Sequence, residues 1–315
     1  MINTDIVVSV CIITYKHELF IAQTIESILS QKFTFRYEIV IGEDASSDNT
    51  RKICEEYALK YSDIIRLLPS DKNYGAVHNF ERTLAACKGK FIALCEGDDY
   101  WVDEFKLQKQ VDLLDANPDK ILCFTKSYCI DGDGKMLGDN VVIPIQDVYS
   151  FKDVINMDRF YIPTATILFR NVLDNPLPAF LTNSISGDIA LCLFLLDYGD
   201  ALCIHEEMAV YRKHAGGITM SAYHLNNSNI LLFKLYEQVR EYYHDKYKNV
   251  INARLFEMSK TILIYGSKDK KGLIKLRYAL KYFPLYFRYQ PSYNFKEIIY
   301  ITSILFFPFL LKFKA

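Results

Sequence analysis

In the stretch FIALCEGDDYW, residues 91–101, a short apolar run ends in the carboxylates Glu96, Asp98 and Asp99 and the aromatics Tyr100 and Trp101. Such a run suits a strand buried on both faces, and the C-terminal end of such a strand is where open α/β sheets bind ligands. Oxygen donors bunched there are able to hold a divalent cation. Hard donors favour magnesium or manganese over zinc, because no Cys/His pair lies nearby in the sequence to offer softer ones. A plainer job for Gly97, Asp98 and Asp99 is a solvated turn capping a helix that starts near Glu104. Tyr15, Asp44, Asp188 and the stretch YRKHAGG, residues 211–217, also fall just after expected strands or at helix starts.

These residues need a scaffold that brings strand ends together, and the hydrophobic pattern supplies one. Ile6 to Thr14 is β-branched and apolar, and Phe20, Ile21, Ile25, Ile28 and Leu29 then recur at helical spacing. Tyr37 to Glu43 reads as a second strand, followed by a polar, helix-capping loop and a helix from Arg51 to Tyr61. Ile64 to Leu68 is a third strand, Asn79 to Ala86 lies in a third helix, and Phe91 to Cys95 is a fourth strand. Strict alternation of this kind predicts an α/β fold with a doubly wound, mostly parallel sheet. In such a sheet Tyr15, Asp44 and the acidic cluster leave by the same edge.

Beyond that half the pattern is mixed. Glu104 to Ala116 is helical, Ile121 to Tyr128 and Thr164 to Phe169 are strands, and Asp131 to Gly134 forms a hairpin turn in preference to a calcium loop, which would need a later glutamate. Gly187 and Asp188 open an apolar helix, and two short strands follow, Ala201 to His205 and Met208 to His214. After Ser221 three helical periodicities appear, dense in aromatic residues and lysines. The run from Ile298 to Leu311 carries no charge, but at fourteen residues it is too short to span a bilayer comfortably. Flanking lysines suit an interfacial anchor in an anionic leaflet, and the alternative is a helix packed on the body or in the seam of a homo-oligomer.

The net charge of −1 gives no global field for nucleic acid, and none is expected as a partner. The cysteines stand in or beside apolar runs without metal-ligand spacing, which reads as reduced core residues of a cytoplasmic protein. The first residues, MINTD, lack the basic stretch of a secretion signal. No Gly-x-Gly-x-x-Gly follows the first strand and no Gly-Lys-Ser/Thr phosphate loop occurs, so a Rossmann dinucleotide site and a P-loop are not expected.

Taken in order, VSVCIITY (8–15), EDASSDNT (43–50), EGDD (96–99), Gly187 with Asp188, and YRKHAGG (211–217) resemble the motifs of the family 2 inverting glycosyltransferases of the GT-A fold. The resemblance covers about the first 220 residues. It departs from the family in reading Tyr-Lys-His where Tyr-Asn is usual, and in placing Glu at positions 43 and 96 where Asp is usual. It implies a catalytic domain over residues 1–221, with a nucleotide-binding half to about 103 and an acceptor half from about 104, and a helical, membrane-associating region over 222–315.

The resemblance further implies a nucleotide-sugar donor, most simply a UDP-sugar, with Mg2+ or Mn2+ bridging its diphosphate. Asp98, Asp99 and His214 would hold the ion, with Arg212 close by. Asp44 would accept from the imide N–H of the base, Tyr15 would stack on it, and Glu18 would belong to the same donor site. Asn73 and Asn79 would line the diphosphate or ribose, and the longer Glu96 would reach a ribose hydroxyl or a metal-bound water. Asp188 would be the general base that deprotonates the acceptor hydroxyl, its plainer alternative being the N-cap of its helix. Trp101 would stack on an acceptor sugar or fill the core. The acceptor would be a glycan or lipid-linked glycan, which places the enzyme on the inner face of the membrane. A non-catalytic sugar-nucleotide-binding subunit is the competing reading.

Overall fold

The computed structural model describes residues 6–137, 146–157, 162–173, 177–184, 186–217, 220, 222–267, 272–289, 298–299 and 301–302. It divides into two compact units, Met1–Ala222 and Tyr223–Ala315.

The first unit opens with β1 (Val8–Thr14), α1 (Ile21–Leu29), β2 (Tyr37–Glu43), α2 (Thr50–Lys60), β3 (Ile65–Leu67), α3 (Ala76–Ala86) and β4 (Phe91–Glu96). The strands are apolar because both faces are covered: Val8, Val10, Ile12, Ile39, Ile41, Phe91 and Ala93 are wholly buried with Ile21, Ile25 and Ile28 of α1. They pair in parallel, in the order β3-β2-β1-β4. Register decides what this half does. Thr14 lies opposite Glu43, and Ile13 lies opposite Glu96, so the loops after β1, β2 and β4 leave the sheet side by side.

The chain continues through β5 (Tyr100–Trp101), α4 (Lys106–Ala116), β6 (Lys120–Asp131), β7 (Val148–Tyr149), α5 (Phe151–Ile155), β8 (Leu168–Arg170), α6 (Ala179–Thr182), α7 (Gly187–Leu195) and β9 (Asp200–Lys213). The nine-stranded sheet of the described residues runs β3-β2-β1-β4-β8-β6-β9-β5, with β7 on β9. It is parallel in its first half and mixed beyond β4, where β8 is antiparallel to both β4 and β6. The α/β class holds.

Two expected elements differ. The strand expected at Thr164 starts as a 3-10 turn, in which the Thr166 hydroxyl donates to Pro163 O, and pairing begins at Leu168. The two short strands expected after Ala201 are one, β9, with register shifts opposite Thr125 to Ser127. Asp131 to Gly134 makes the expected turn: Asp131 Oδ1 accepts from the N–H groups of Asp133 and Lys135. All eight cysteines are free and buried.

The second unit contains α8 (Ala222–Tyr243), α9 (Lys248–Ser267) and α10 (Gly272–Tyr289). Aromatic contacts join them, Phe233 to Tyr289 and Phe256 to Tyr286, and Glu237 accepts from Tyr289 and Arg288. No helix among the described residues is long and apolar enough to cross a membrane. Most of the uncharged run from Ile298 to Leu311, and the lysines at 268, 270, 271, 296, 312 and 314, lie outside the described residues.

Candidate functional site

The loop after β1 is zipped to the loop after β2. Lys16 N–H donates to Ser46 Oγ (2.9 Å), His17 N–H to Thr50 Oγ1 (2.8 Å) and Glu18 N–H to Asp48 Oδ2 (3.3 Å). Glu18 answers by accepting from both the backbone N–H and the side-chain amide of Asn49. Glu18, expected in the donor site, thus braces the two loops through Oε2. Tyr15 stays 41% exposed at the rim, where a ring can be stacked on.

Asp44 is 2% exposed, and its two oxygens accept from Tyr74 N–H (2.7 Å) and Gly75 N–H (2.9 Å), while Asn73 Nδ2 donates to Asp44 O (3.0 Å). These two residues therefore anchor the 73–75 turn, and a base could use only the remaining lone pairs of Asp44. Gly75 sits there at φ +81°, where a side chain would be strained. Asn79 does not line a site. It is buried, donates to Gly42 O (2.6 Å) and accepts from Arg82 (2.9 Å), fastening α3 to β2.

At the end of β4 the acids are drawn together. Gly97 makes this possible, because a Cβ there would lie 2.4 Å from Thr14 Oγ1. Asp98 Oδ2 is 2.9 Å from His214 Nε2 and 3.7 Å from His17 Nε2. Asp99 is 1% exposed. One of its oxygens accepts from Arg212 N–H (2.8 Å), and the other has no hydrogen-bond partner among the described residues. Arg212, expected close to the ion, is 7% exposed. It donates to Asp98 O (2.9 Å) and Gln23 Oε1 (2.8 Å), with its guanidinium over the Phe20 ring. It positions the acidic loop from behind.

Electrostatics separate the three carboxyls. Burial, aided by the charges of Asp98 and Asp188, pushes Glu96 up to about 8, and burial with the neighbouring acids holds Asp99 well above the carboxylate range. Burial would raise Asp98 too, but its hydrogen bond to His214 and the charges of His17 and His214 outweigh it and hold the group low. Burial lowers the His17 imidazole despite the nearby Asp98. Asp98 is thus the permanent anion of the cluster.

Two groups have ligand atoms within 4.8 Å of one another: Glu96, Asp98 and Asp99, and His17, Asp98 and His214. The unpartnered buried oxygen of Asp99 and this donor set fit a divalent cation. The expected imidazole of His214, just past the end of β9, lies beside Asp98, and a second imidazole, His17, arrives from the loop after β1. His17 was missed by the sequence reading. Its only signal was its place in the loop after the first strand.

Asp188 stands in the first turn of α7, partly buried, with Oδ1 accepting from Ile189 N–H (2.8 Å). The Asp188 charge helps to raise the Glu96 carboxyl. Trp101 does not face acceptor space. It is 4% exposed, donates from Nε1 to Ala165 O (2.8 Å), and carries the buried Lys106 ammonium 4.2 Å from its ring. It fills the core.

A family model described as Glycosyl transferase family 2 matches residues 9–175. The uncharacterised protein Rv1520 of Mycobacterium tuberculosis H37Rv is 33% identical over 229 residues, covering 68% of this chain and 61% of that relative, which is less than two thirds of its length. S. aureus TarS 1-349, solved in complex with UDP-GlcNAc, superposes with a TM-score of 0.61 at 17% identity, over 90% of this chain and 79% of that one. The mannosyltransferase PcManGT from Pyrobaculum calidifontis, in complex with GDP-Man and Mn2+, superposes with a TM-score of 0.51 at 14% identity, over 98% of this chain and 88% of that one. At these identities the two structures share its fold.

Proposed function

The chain belongs to glycosyl transferase family 2, and from that premise we propose that it transfers one sugar, a hexose or N-acetylhexosamine, from a UDP-sugar to a glycan or lipid-linked acceptor in surface-polysaccharide synthesis. The observation that carries the reading is the convergence on Asp98, past the end of β4, of Glu96 and Asp99 on one side and of His17 and His214 on the other, with the Asp188 charge bearing on Glu96. Donor class and ion are supported by the fold neighbours, of which one was solved with UDP-GlcNAc and the other with GDP-Man and Mn2+.

In this reading Tyr15 offers a ring face to the base at the rim. Asp98 is the anion that holds a divalent ion, with His214 beside it, and Arg212 fixes the loop that carries them. When bound, the ion supplies positive charge for the diphosphate as the glycosidic bond breaks. The acceptor hydroxyl, with a pKa far above neutral, needs a base as it attacks. Asp188 takes that proton, and direct displacement inverts the anomeric carbon. Glu96, whose carboxyl burial pushes up to about 8 in the metal-free protein, lies within the acidic cluster of the donor site.

Calorimetry of UDP binding with and without Mn2+, on the wild type and on Asp98→Asn, tests the ion. Tighter binding with Mn2+ only in the wild type is expected, and equal affinity in every case would remove the ion from the mechanism. Asp188→Asn should bind UDP normally and turn over at least about a hundredfold more slowly. Unchanged turnover would leave Asp188 as a plain first-turn acid of α7. The same reading places the enzyme peripherally on the inner leaflet, held by its basic C-terminal region. A truncation before Lys296 should then lose liposome binding, and undiminished binding would exclude the tail as anchor.

A further inference from the structure

We propose that His17, in the loop after β1, is a direct ligand of the divalent cation together with Asp98 and His214, and that this imidazole pair makes the site prefer manganese to magnesium. The inference rests on the cation site of the proposed function and adds to it a residue and a metal preference.

Three side chains from distant parts of the chain converge on one point. Nε2 of His214 and Nε2 of His17 lie 2.9 and 3.7 Å from the same oxygen, Asp98 Oδ2, and the ligand atoms are all within 4.8 Å of one another. The two rings meet edge to face with centroids 5.6 Å apart, and all three side chains are largely shielded. A second observation points to a ligand: the buried oxygen of Asp99 in the overlapping acidic group lacks a hydrogen-bond partner among the described residues. Leaving such an oxygen bare in the interior is costly, and a neighbouring cation offsets the cost.

His17 is preset for the role. Its Nδ1 is 3.2 Å from Thr14 Oγ1. When that hydroxyl accepts the Nδ1 proton, Nε2 keeps its lone pair toward Asp98, which is the tautomer a metal requires. Its backbone is fixed on both sides, by the bond to Thr50 and by Phe20 and Ile21 N–H donating to its carbonyl (2.9 Å each). His214 is held differently: Gly216 N–H donates to its Nδ1 (3.3 Å), which leaves Nε2–H to donate to Asp98. His214 must exchange a proton before it ligates, and His17 need not.

The donor set then decides the metal. Magnesium demands an octahedron of oxygen and loses water reluctantly, whereas imidazole nitrogen suits first-row transition ions. Two imidazoles and one carboxylate thus favour Mn2+ over Mg2+.

Pulsed electron paramagnetic resonance of the full chain with Mn2+ alone reads imidazole nitrogen bound to the ion. Two such couplings are expected in the wild type and one in His17→Gln. Calorimetry should find Mn2+ at least about tenfold weaker in His17→Gln, with Mg2+ weakened less, so that the preference shrinks. A single coupling in the wild type that disappears only in His214→Gln overturns the role of His17 and leaves the cation site standing. No Mn2+ binding by the wild type overturns the cation site itself. If circular dichroism finds metal-free His17→Gln misfolded, the wild-type coupling count and its Mn2+/Mg2+ affinity ratio decide alone.

Discussion

At the scale of single residues, the side chains around the acidic cluster divide into those that face the site and those that hold it in place, and mutations tell the two apart. Arg212 is in the second group. Its Nε, its Nη2 and its flat face are each used, on Asp98 O, Gln23 and Phe20. A lysine keeps the charge but not the fork, so Arg212→Lys should cost about 1–3 kcal/mol of stability and weaken Mn2+ binding by loosening Asp98. Urea unfolding and calorimetry read the two effects, and unchanged values for both would make Arg212 a bystander. Trp101→Phe removes the donor to the buried Ala165 carbonyl. The expected loss is also about 1–3 kcal/mol, with the acceptor KM unmoved. A raised KM at full stability would restore Trp101 to the acceptor. The meeting of Asp98 and His214 was anticipated in the sequence because their types and order match a known pattern. The loop-bracing bonds of Glu18, Asn79 and Arg212 were not legible, because a residue type does not reveal whether a neighbouring loop is among its partners.

At the scale of elements, the parallel half was legible because β1, β2 and β4 are buried almost throughout and α1 turns Ile21, Ile25 and Ile28 to the core. β9 was not. Its middle carries the exposed Glu206 and Glu207, where the register against β6 shifts, and a polar interruption in an apolar run reads as a loop. Glu206 instead pairs with Lys109 of α4 (2.6 Å). The junction of β4 and β5 depends on Gly97. Gly97→Ala would drive a methyl into Thr14, within 2.6 Å of its Cβ, so the Thr14–His17 contact and the acidic loop cannot both persist. Loss of Mn2+ binding is the expected result. α4 brings a different cost, because Lys106 is wholly buried against Trp101 and Gln110, and burial lowers its ammonium to about 8 from 10.5. A base with a depressed folded pKa penalises the fold below that value, and the penalty disappears as pH rises through the unfolded value. The wild type should therefore gain stability on Lys106→Met between about pH 8 and about pH 10, and parallel stability curves would show that burial does not perturb the ammonium.

At the scale of the whole molecule, the first unit contains the candidate chemistry, and the second has to be explained by its surface. Its three helices were legible from periodicity and aromatic density, but their use was not, since a basic helix face serves solvent as readily as a membrane. α10 narrows the choice. Arg277, Lys281 and Arg288 are exposed at spacings that return to one face of a helix, and Leu280 beside them is 61% exposed. Arg288 shares its charge with Glu237 (3.0 Å), so Arg277 and Lys281 are the cations to test. Each basic side chain near an anionic leaflet contributes about 1 kcal/mol, and the attraction fades within a Debye length. Reversing both, Arg277→Glu with Lys281→Glu, should weaken binding to vesicles containing phosphatidylserine by at least about thirtyfold at physiological salt. It should leave binding to neutral vesicles and turnover of a water-soluble acceptor unchanged, because neither residue belongs to the candidate site. Equal partitioning of the wild type and the double variant onto anionic vesicles would show that this face of α10 is a solvated surface and that any membrane attachment lies elsewhere in the chain.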